Sequence, residues 1–560
     1  MVTWKVRGAL VLATCLAAAA CNPQPPPGSG TASFEARRDR VLTAIAAQDV
    51  SGRINAKFTY WVAQAKLAAG DFGDGMDVLE ATLQNRSGAM FRMWALADTF
   101  GRWRHVMTDA MRRTAEDQLV GYRYYSGGST INHRLMYGTA RYLANGYFPG
   151  RSFPGAFATG DPTGRLYLRE SMERFARQGM PEFDSPVYSA LYFGVAQSLA
   201  DLAADADVRS AARRALDSLL LSTAGEWMDG HWLSGSLRDQ AAADGQFDFS
   251  GGDYVLWLYT GGKATPDLSA SAIAEEGGLA HSVANLLGNY VPPLGLLERI
   301  GAERTSRTYG HFDTDVWGSR RYFQTAFLDR SYGVYSTYEN HEVHTGFSNQ
   351  FHRWGVRWSS VEDTSSFWLK HPHRDSGSEG TTGYEKVLQC RGAVVGLYNI
   401  PSSYPVQHVE GHVPSGQRAA IDDSERGALY LHYGSVLIGL RTTRAFAWSP
   451  GQTSFTLPDP RAGFVVETAR PALYAGTPAQ QLLSFRQDVE RNAPVLTPGS
   501  RLSYVTRDGT ALAVSTTGER TVAGRSVDLA SWPLTADPWV TQALDSPTPG
   551  PGGGWTGPCP

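Results

Sequence analysis

The hydrophobic periodicity changes once along this chain, and that change sets what it can fold into. From Phe34 to about Leu221 apolar residues return every three or four positions, as at Val41, Ile45, Phe58, Trp61 and Val62 and later at Leu191, Val195 and Leu199. That spacing lines one face of an α-helix. After about Arg320 the pattern becomes alternation in short β-branched and aromatic runs, among them Tyr332 to Tyr338, Trp354 to Val361, Ala393 to Tyr398 and Ala428 to Thr442, separated by Gly, Pro, Asp and Ser. A period of two presents one face of a strand to a core. The expected fold is α+β and multidomain: an N-terminal (α/α) toroid over 34–322 and a C-terminal antiparallel β-sandwich over 323–545. No fixed repeat period favours an open solenoid over a closed ring of helical hairpins. The mixed stretch from Trp227 to Tyr322 is expected to finish the toroid and form the junction, where clefts for ligands are common. Residues 546–560, rich in Pro and Gly, are expected to be a flexible tail.

The first residues carry an address. Lys5 and Arg7 precede a short apolar run from Ala9 to Ala20, the pattern of a secretion signal and too short to span a bilayer stably. Ala18-Ala19-Ala20-Cys21 resembles a lipobox, which makes residues 1–21 the signal and Cys21 the lipidated first residue of the mature chain. The alternative is ordinary cleavage with Cys21 incidental. Residues 22–33, with Pro23 and three prolines from Pro25 to Pro27, read as a spacer. The expected location is the cell envelope, with the membrane reached through the lipid.

A net charge of −3 gives no basic surplus for nucleic acid. An acidic ligand must instead be met by a local basic site. The 15 Trp and 25 Tyr offer flat rings suited to sugar faces as well as to cores. Only Cys390 and Cys559 follow the signal and lipobox, so a disulfide framework is excluded and one bridge is left open. No Cys/His zinc motif, phosphate-cradling glycine loop or nucleophile elbow is present.

Three segments carry candidate chemistry. Asn132 and His133 open a helical pattern that runs on through Leu135 and Leu143; Asn132 could equally be a helix cap and His133 the partner of a neighbouring carbonyl. Glu182-Phe183-Asp184-Ser185-Pro186-Val187-Tyr188 opens the next long helix, with Tyr192 one turn on. The β-half begins with a cluster of His341, His344, His352 and Trp354, followed by His371 and His373. Arg238, which could clamp a carboxylate or pair with Asp239 or Asp244, and the Tyr309 and His311 stretch complete the set.

The Asn132 segment followed by the Glu182-to-Tyr188 run resembles the heparinase II/III-like polysaccharide lyases and, more loosely, alginate lyases of the same architecture. It also resembles an uncharacterised bacterial family with a Glu-Asn-His motif, from which this chain departs at Ile131. The resemblance implies a toroid-plus-sandwich fold and β-elimination of a uronic-acid polymer. Asn132, His133, Tyr188, His341 and His352 would be catalytic, and Arg238, Tyr309, His311, His344 and Trp354 would bind substrate. No cofactor is implied as a requirement; a structural divalent metal on a His/Asp set is implied as an option, although no His-x-His-x-Asp motif stands in the family's usual position.

Elimination needs a neutralised carboxylate, a base for the C5 proton and an acid for the departing oxygen. A tyrosine, with an ordinary pKa of about 10, acts as base near neutrality only beside a positive group. Two rival readings stand beside it. A glycoside hydrolase on the same toroid would use opposed carboxylates drawn from Glu182, Asp184, Asp239, Asp248, Asp253 and Glu339. A non-catalytic surface lipoprotein would bind glycan through its aromatics.

Overall fold

The computed structural model describes residues 33–560 apart from 53–54, 125–129, 183, 229–230, 238–250, 263–267, 270–272, 274–278, 293–306, 315–320, 340–350, 361–364, 373–380, 417, 498–500, 537–539, 543–544, 547–549, 552–554, 556 and 560. The helical half contains α1 (Phe34–Ala46), α2 (Thr59–Ala68), α3 (Phe72–Gln84), α4 (Ala89–Trp103), α5 (Asp109–Gly121), α6 (Ile131–Tyr147), α7 (Arg165–Gln178), α8 (Ser189–Leu202), α9 (Ala206–Ala224) and α10 (Gly251–Thr260).

Burial sorts these helices into two layers. In α2 and α10 every residue but the last one is buried, and in α8 Ser189 through Ala200 are. α5 and α7 bury only one stripe each. A helix apolar on all sides belongs inside, and a one-sided helix belongs outside. The packing follows: α2, α4, α6, α8 and α10 contact one another in sequence, and α3, α5, α7 and α9 lie against them from outside. The ring closes where α1 packs between α10 and α2. Arg37 secures that closure by donating from Nε to the carbonyl of Leu258 at 2.9 Å and from a terminal nitrogen to that of Tyr259 at 3.2 Å. A cation on the last carbonyls of α10 meets the negative end of the helix dipole. Burial brings the Arg37 guanidinium down to about 10, still charged at neutral pH.

The ring wall is held by a buried polar chain as well as by apolar contact. Trp94 donates to Ser198 at 3.0 Å, Ser198 to Asp98 at 2.6 Å, and Arg102 bridges Asp98 and Asp201 at 2.9 Å each. Gly194 makes the α4 and α8 contact possible, because a Cβ there would press to 2.7 Å from the Trp94 ring. The 3-10 turn Leu279–Ser282 packs against α2, α8 and α10 and fills the ring beside its axis.

The second half is antiparallel throughout its described strands. An eleven-stranded sheet and a six-stranded sheet enclose one apolar core, in which Tyr332, Val334, Trp354, Val356 and Trp358 meet Val394, Leu440, Phe464 and Val466. The six-stranded sheet is buried on both faces, since Val395, Leu397 and Val465 turn to the opposite side and pack on Leu502, Leu512 and Val514 of a further five-stranded sheet. Helix α11 (Pro478–Glu490), opened by a Thr477/Gln480 capping box, covers another part of that same side.

Two boundaries differ from expectation. The first long strand, Arg307–Thr314, pairs with Arg321–Leu328, so the sheet starts ahead of residue 323. The described residues of 546–560 are not a loose tail. Gly550–Pro551 adds to the eleven-stranded sheet, Trp555 packs 5.2 Å from Trp532, and Cys559 is bonded to Cys390 of the central sheet. Proline and glycine there reflect an edge strand and turns, where a missing backbone donor is tolerated. Among the described residues no helix is long and apolar enough to cross a membrane.

The two halves meet through the segment around Leu233. Met228 and Leu233 pack with Ala326, Leu328 and Tyr335 of the sheet, and Arg357 donates to the Trp232 carbonyl at 2.7 Å. Gly235 lies so close that a Cβ would collide with Thr337 Oγ1 and come within 2.8 Å of the His352 carbonyl oxygen. Gly235→Ala is therefore expected to destabilise the chain by about 1–3 kcal/mol through overpacking. A urea midpoint unchanged from the parent's would show that this segment is not packed so tightly.

Candidate active site

Successive helices joined by short connections run antiparallel, so the inner helices all point the same way and their N-termini gather at one end of the ring. Aligned N-terminal N–H groups make that end attractive to anions. Thr130 occupies the position before α6, so Asn132 falls in the first turn and does not cap it. The alternative reading of Asn132 as a cap is thus replaced by a tertiary contact. Asn132, 1% exposed, donates from Nδ2 to both carboxylate oxygens of Glu182, at 3.0 and 2.8 Å. Tyr192 of α8 donates to the same carboxylate at 3.0 Å. Glu182 is fully buried with φ +57°, a left-handed conformation uncommon for a residue with a side chain. The Oδ1 of Asn132 is also buried and has no partner among the described residues.

Tyr188 sits at the start of α8, six residues on in the same connection. Ser185 shapes this entry: its Oγ accepts from the Tyr188 N–H at 3.1 Å and its carbonyl from the Ser189 N–H, with Pro186 following it. A serine acceptor followed by proline is a helix-start pattern. The Tyr188 ring lies in the apolar cluster of the toroid with 5% of its surface exposed.

His133, half-buried beside Asn132, points its edge at Phe91 of α4, with ring centres 6.3 Å apart. Phe91 stacks in turn on His281 at 5.6 Å, and the Lys57 ammonium lies 4.2 Å from the Phe91 ring centre. Sequence reasoning missed Lys57, Phe91 and His281. The one available signal was a histidine inside the apolar run Leu279 to Val283. Burial, and then Lys57, bring His281 down to about 3, so it is a neutral ring at physiological pH.

The β-half reaches this region through Asp184 and Ser236. Asp184, two residues after Glu182, accepts from Ser234 and from Gln324 of the large sheet. Ser236 then pairs with His352 in a short two-stranded ladder. His352 shares a hydrogen bond with the Tyr335 hydroxyl at 2.8 Å and meets the Trp368 ring edge-on, while Trp368 stacks on His412. Burial, followed by the charges of Arg357 and Lys370, holds His352 well below the usual histidine range. It is therefore neutral and hydrogen-bonding at physiological pH. Asn132 and Tyr188 are thus joined through one connection, and His352 lies beside the segment on which that connection is anchored.

Trp354 does not belong to a binding surface. It is fully buried between the sheets, its indole donates to Glu385 at 2.9 Å, and it stacks on Phe464 at 4.9 Å. The alternation that marked it as notable points it at the core. His371 is likewise a core residue, bonded to Thr382 and to the Val406 carbonyl. Tyr309 and His311 lie on the strand Arg307–Thr314, opposite Ala326 and Gln324. Arg238, His341, His344 and Cys21 lie outside the described residues, as do His373 and Asp239. Among the described residues no three His, Cys, Asp or Glu side chains are grouped to hold a metal.

No protein-family model matches the sequence, and no curated protein does. Among solved structures the chain is similar to a Streptomyces coelicolor A3 chondroitin AC lyase mutant, at 12% identity and a TM-score of 0.41, over 88% of this chain and 86% of that one. It is also similar to a chondroitinase AC lyase described with oligosaccharide complexes, at 9% identity and a TM-score of 0.40, over 88% of this chain and 90% of that one.

Proposed function

We propose that this chain is a polysaccharide lyase that cleaves a uronate-containing polymer by β-elimination. The observation that carries the reading is the joint placement of Asn132 and Tyr188: two neighbouring inner helices start at one end of the ring, and Glu182 ties one to the connection that leads into the other. In the reaction, a base takes the C5 proton, the electron pair forms the C4–C5 double bond, and the C4–O bond breaks with a proton delivered to the leaving oxygen. Asn132 is assigned to the uronate carboxyl group, and Tyr188 to proton transfer. His133 and Lys57 line the approach, where the ammonium and the helix N-termini favour an acidic polymer. His352, neutral and bonded to Tyr335, is assigned to the β-half of the cleft.

Three of the candidate carboxylates weigh against the hydrolase alternative, while Asp239 and Asp248 lie outside the described residues. Glu182 is engaged by Asn132 and Tyr192, Asp184 by Ser234 and Gln324, and Glu339 by Arg353 and Lys386 inside the β-half, where these cations hold it down at about 2. A hydrolase needs one of a pair protonated and both facing the scissile bond. Incubation with uronate-containing and neutral polysaccharides, following ultraviolet absorbance and reducing ends together, tests the reading. Absorbance rising with reducing ends is expected. Reducing ends alone would make it a hydrolase, and neither a binding protein.

We further propose that Cys21 is lipidated and tethers the chain to the cell envelope. Cys21→Ser is expected to move the protein from the membrane fraction to the soluble one, because stable anchoring takes more than one acyl chain. A Ser variant as firmly membrane-bound as the parent would remove the anchor.

A further inference from the structure

Helix α7 ends at Gln178, where Gly179 turns the chain away with φ +81°. The last carbonyls of a helix find no partner within it. Two of them are met here from the far end of the chain: Gln542 donates from Nε2 to the carbonyl of Ala176 at 2.9 Å, and the Asp545 N–H donates to that of Arg177 at 2.9 Å. Gln178 in turn donates to the Asp545 carboxylate at 2.7 Å. Immediately after Gly179 comes the connection that carries Glu182, Asp184 and Tyr188. The same C-terminal segment reaches that connection by a second route. Trp555 packs on Trp532, whose indole donates to the Gln324 carbonyl at 3.1 Å, and the Gln324 side chain donates to Asp184.

We infer that the C-terminal segment from Leu534 to Cys559 is a positioning strap, which holds the connection bearing Glu182, Asp184 and Tyr188 at its entry and at its middle. For the reaction it serves, this rests on the lyase reading. Gln542, Asp545 and Trp555 act through the connection and are positioning residues. The connection needs such support, because Glu182 and Asp184 both have positive φ, at +57° and +41°. Side-chain-bearing residues keep that conformation only where their surroundings over-determine it. The strap is itself fixed at both ends. Thr535–Ala536 pairs with the strand Arg307–Thr314, and Cys559 is bonded to Cys390. A chain terminus otherwise frays from its free end, and a bond closing a loop of 169 residues takes that freedom away.

Three variants of the full chain test it. Gln542→Met keeps an unbranched side chain of similar bulk and removes the donor to Ala176. Cys559→Ser removes the terminal bond. Asp545→Gly suits the positive φ of +62° at that position and removes only the acceptor for Gln178. Hydrogen exchange is followed in the peptides covering residues 179–192, and turnover is followed by ultraviolet absorbance well below the melting temperature. In the first two variants, exchange across that stretch is expected to speed up about tenfold or more, while the peptides of α2 keep the parental rate. Turnover is expected to fall about tenfold or more in kcat, with KM within about threefold, because the reacting geometry loosens while the groups that bind substrate remain. Asp545→Gly is expected to move both readouts the same way by about threefold. A strap that only staples the fold would lower the melting temperature and leave exchange and kcat at parental values.

Parental exchange across 179–192 in a folded Gln542→Met or Asp545→Gly chain overturns the strap whatever the activity, even if Cys559→Ser fails to fold. Faster exchange with an unchanged kcat overturns it as well, since the connection would then be held without being positioned for the reaction. Faster exchange in variants of a parent that forms no unsaturated product would remove the lyase reading and leave the strap standing. Elimination at the parental rate with parental exchange would remove the strap and leave the lyase reading.

Discussion

Replacing Tyr188 by phenylalanine is expected to lower turnover by about two to four orders of magnitude on whichever polymer the parent degrades, with the fold intact. The change deletes one hydroxyl and keeps the ring, which is the part packed in the apolar cluster at the head of α8. The entry to that helix does not depend on the hydroxyl, because it is set by Ser185 accepting from the Tyr188 backbone N–H. Loss of a single hydrogen bond costs stability on the order of 1 kcal/mol, which a melting curve resolves. Loss of a positioned acid or base acts on the transition state instead, so the two roles separate cleanly. A folded Phe variant with near-parental turnover would exclude Tyr188 from proton transfer.

Asn132→Ala is expected to lower turnover about a hundredfold or more, the usual cost of removing one polar group aimed at developing charge. It should also be the less stable of the two variants. Alanine leaves the Glu182 carboxylate without the amide that meets both of its oxygens, in a place with no exposed surface. Abandoning a buried hydrogen-bonding group costs about 1–3 kcal/mol. Turnover must therefore be compared at a temperature where both proteins are folded by circular dichroism. If the alanine variant is folded there and eliminates at the parental rate, Asn132 acts only as a strut for Glu182, and the carboxyl-binding role has to move to another residue.

The sequence names two residues of this candidate site. Asn132 and Tyr188 stood out because polar residues at the starts of two long apolar patterns are conspicuous. The partner that joins them was harder to see: Glu182 looked like one of several carboxylates, and nothing in its neighbours tells that its oxygens meet an amide fifty positions earlier. Lys57, Phe91 and His281 come from three separate parts of the ring and are neighbours only because the ring closes. Trp354 failed the other way. An aromatic in a histidine-rich segment looked like a binding surface, whereas the strand's period of two turns it inward against Phe464.

The sequence by itself determined the order of the two halves, helices before sheets, because periods of 3.6 and 2 are written residue by residue and each decides which side of an element is apolar. It also determined where helices begin, through local acceptors such as Ser185 and the Thr477/Gln480 box. Only the tertiary structure decided which helices became the inner wall, that Arg37 would close the ring on the carbonyls of Leu258 and Tyr259, and that Cys390 would bond Cys559 across 169 residues. It alone also decided the orientation of the Asn132 carboxamide. An amide side chain has two nearly equivalent faces, and the choice between them belongs to whatever group the rest of the fold places opposite. Here that group is the buried side chain of Glu182, whose two oxygens both face Asn132 Nδ2.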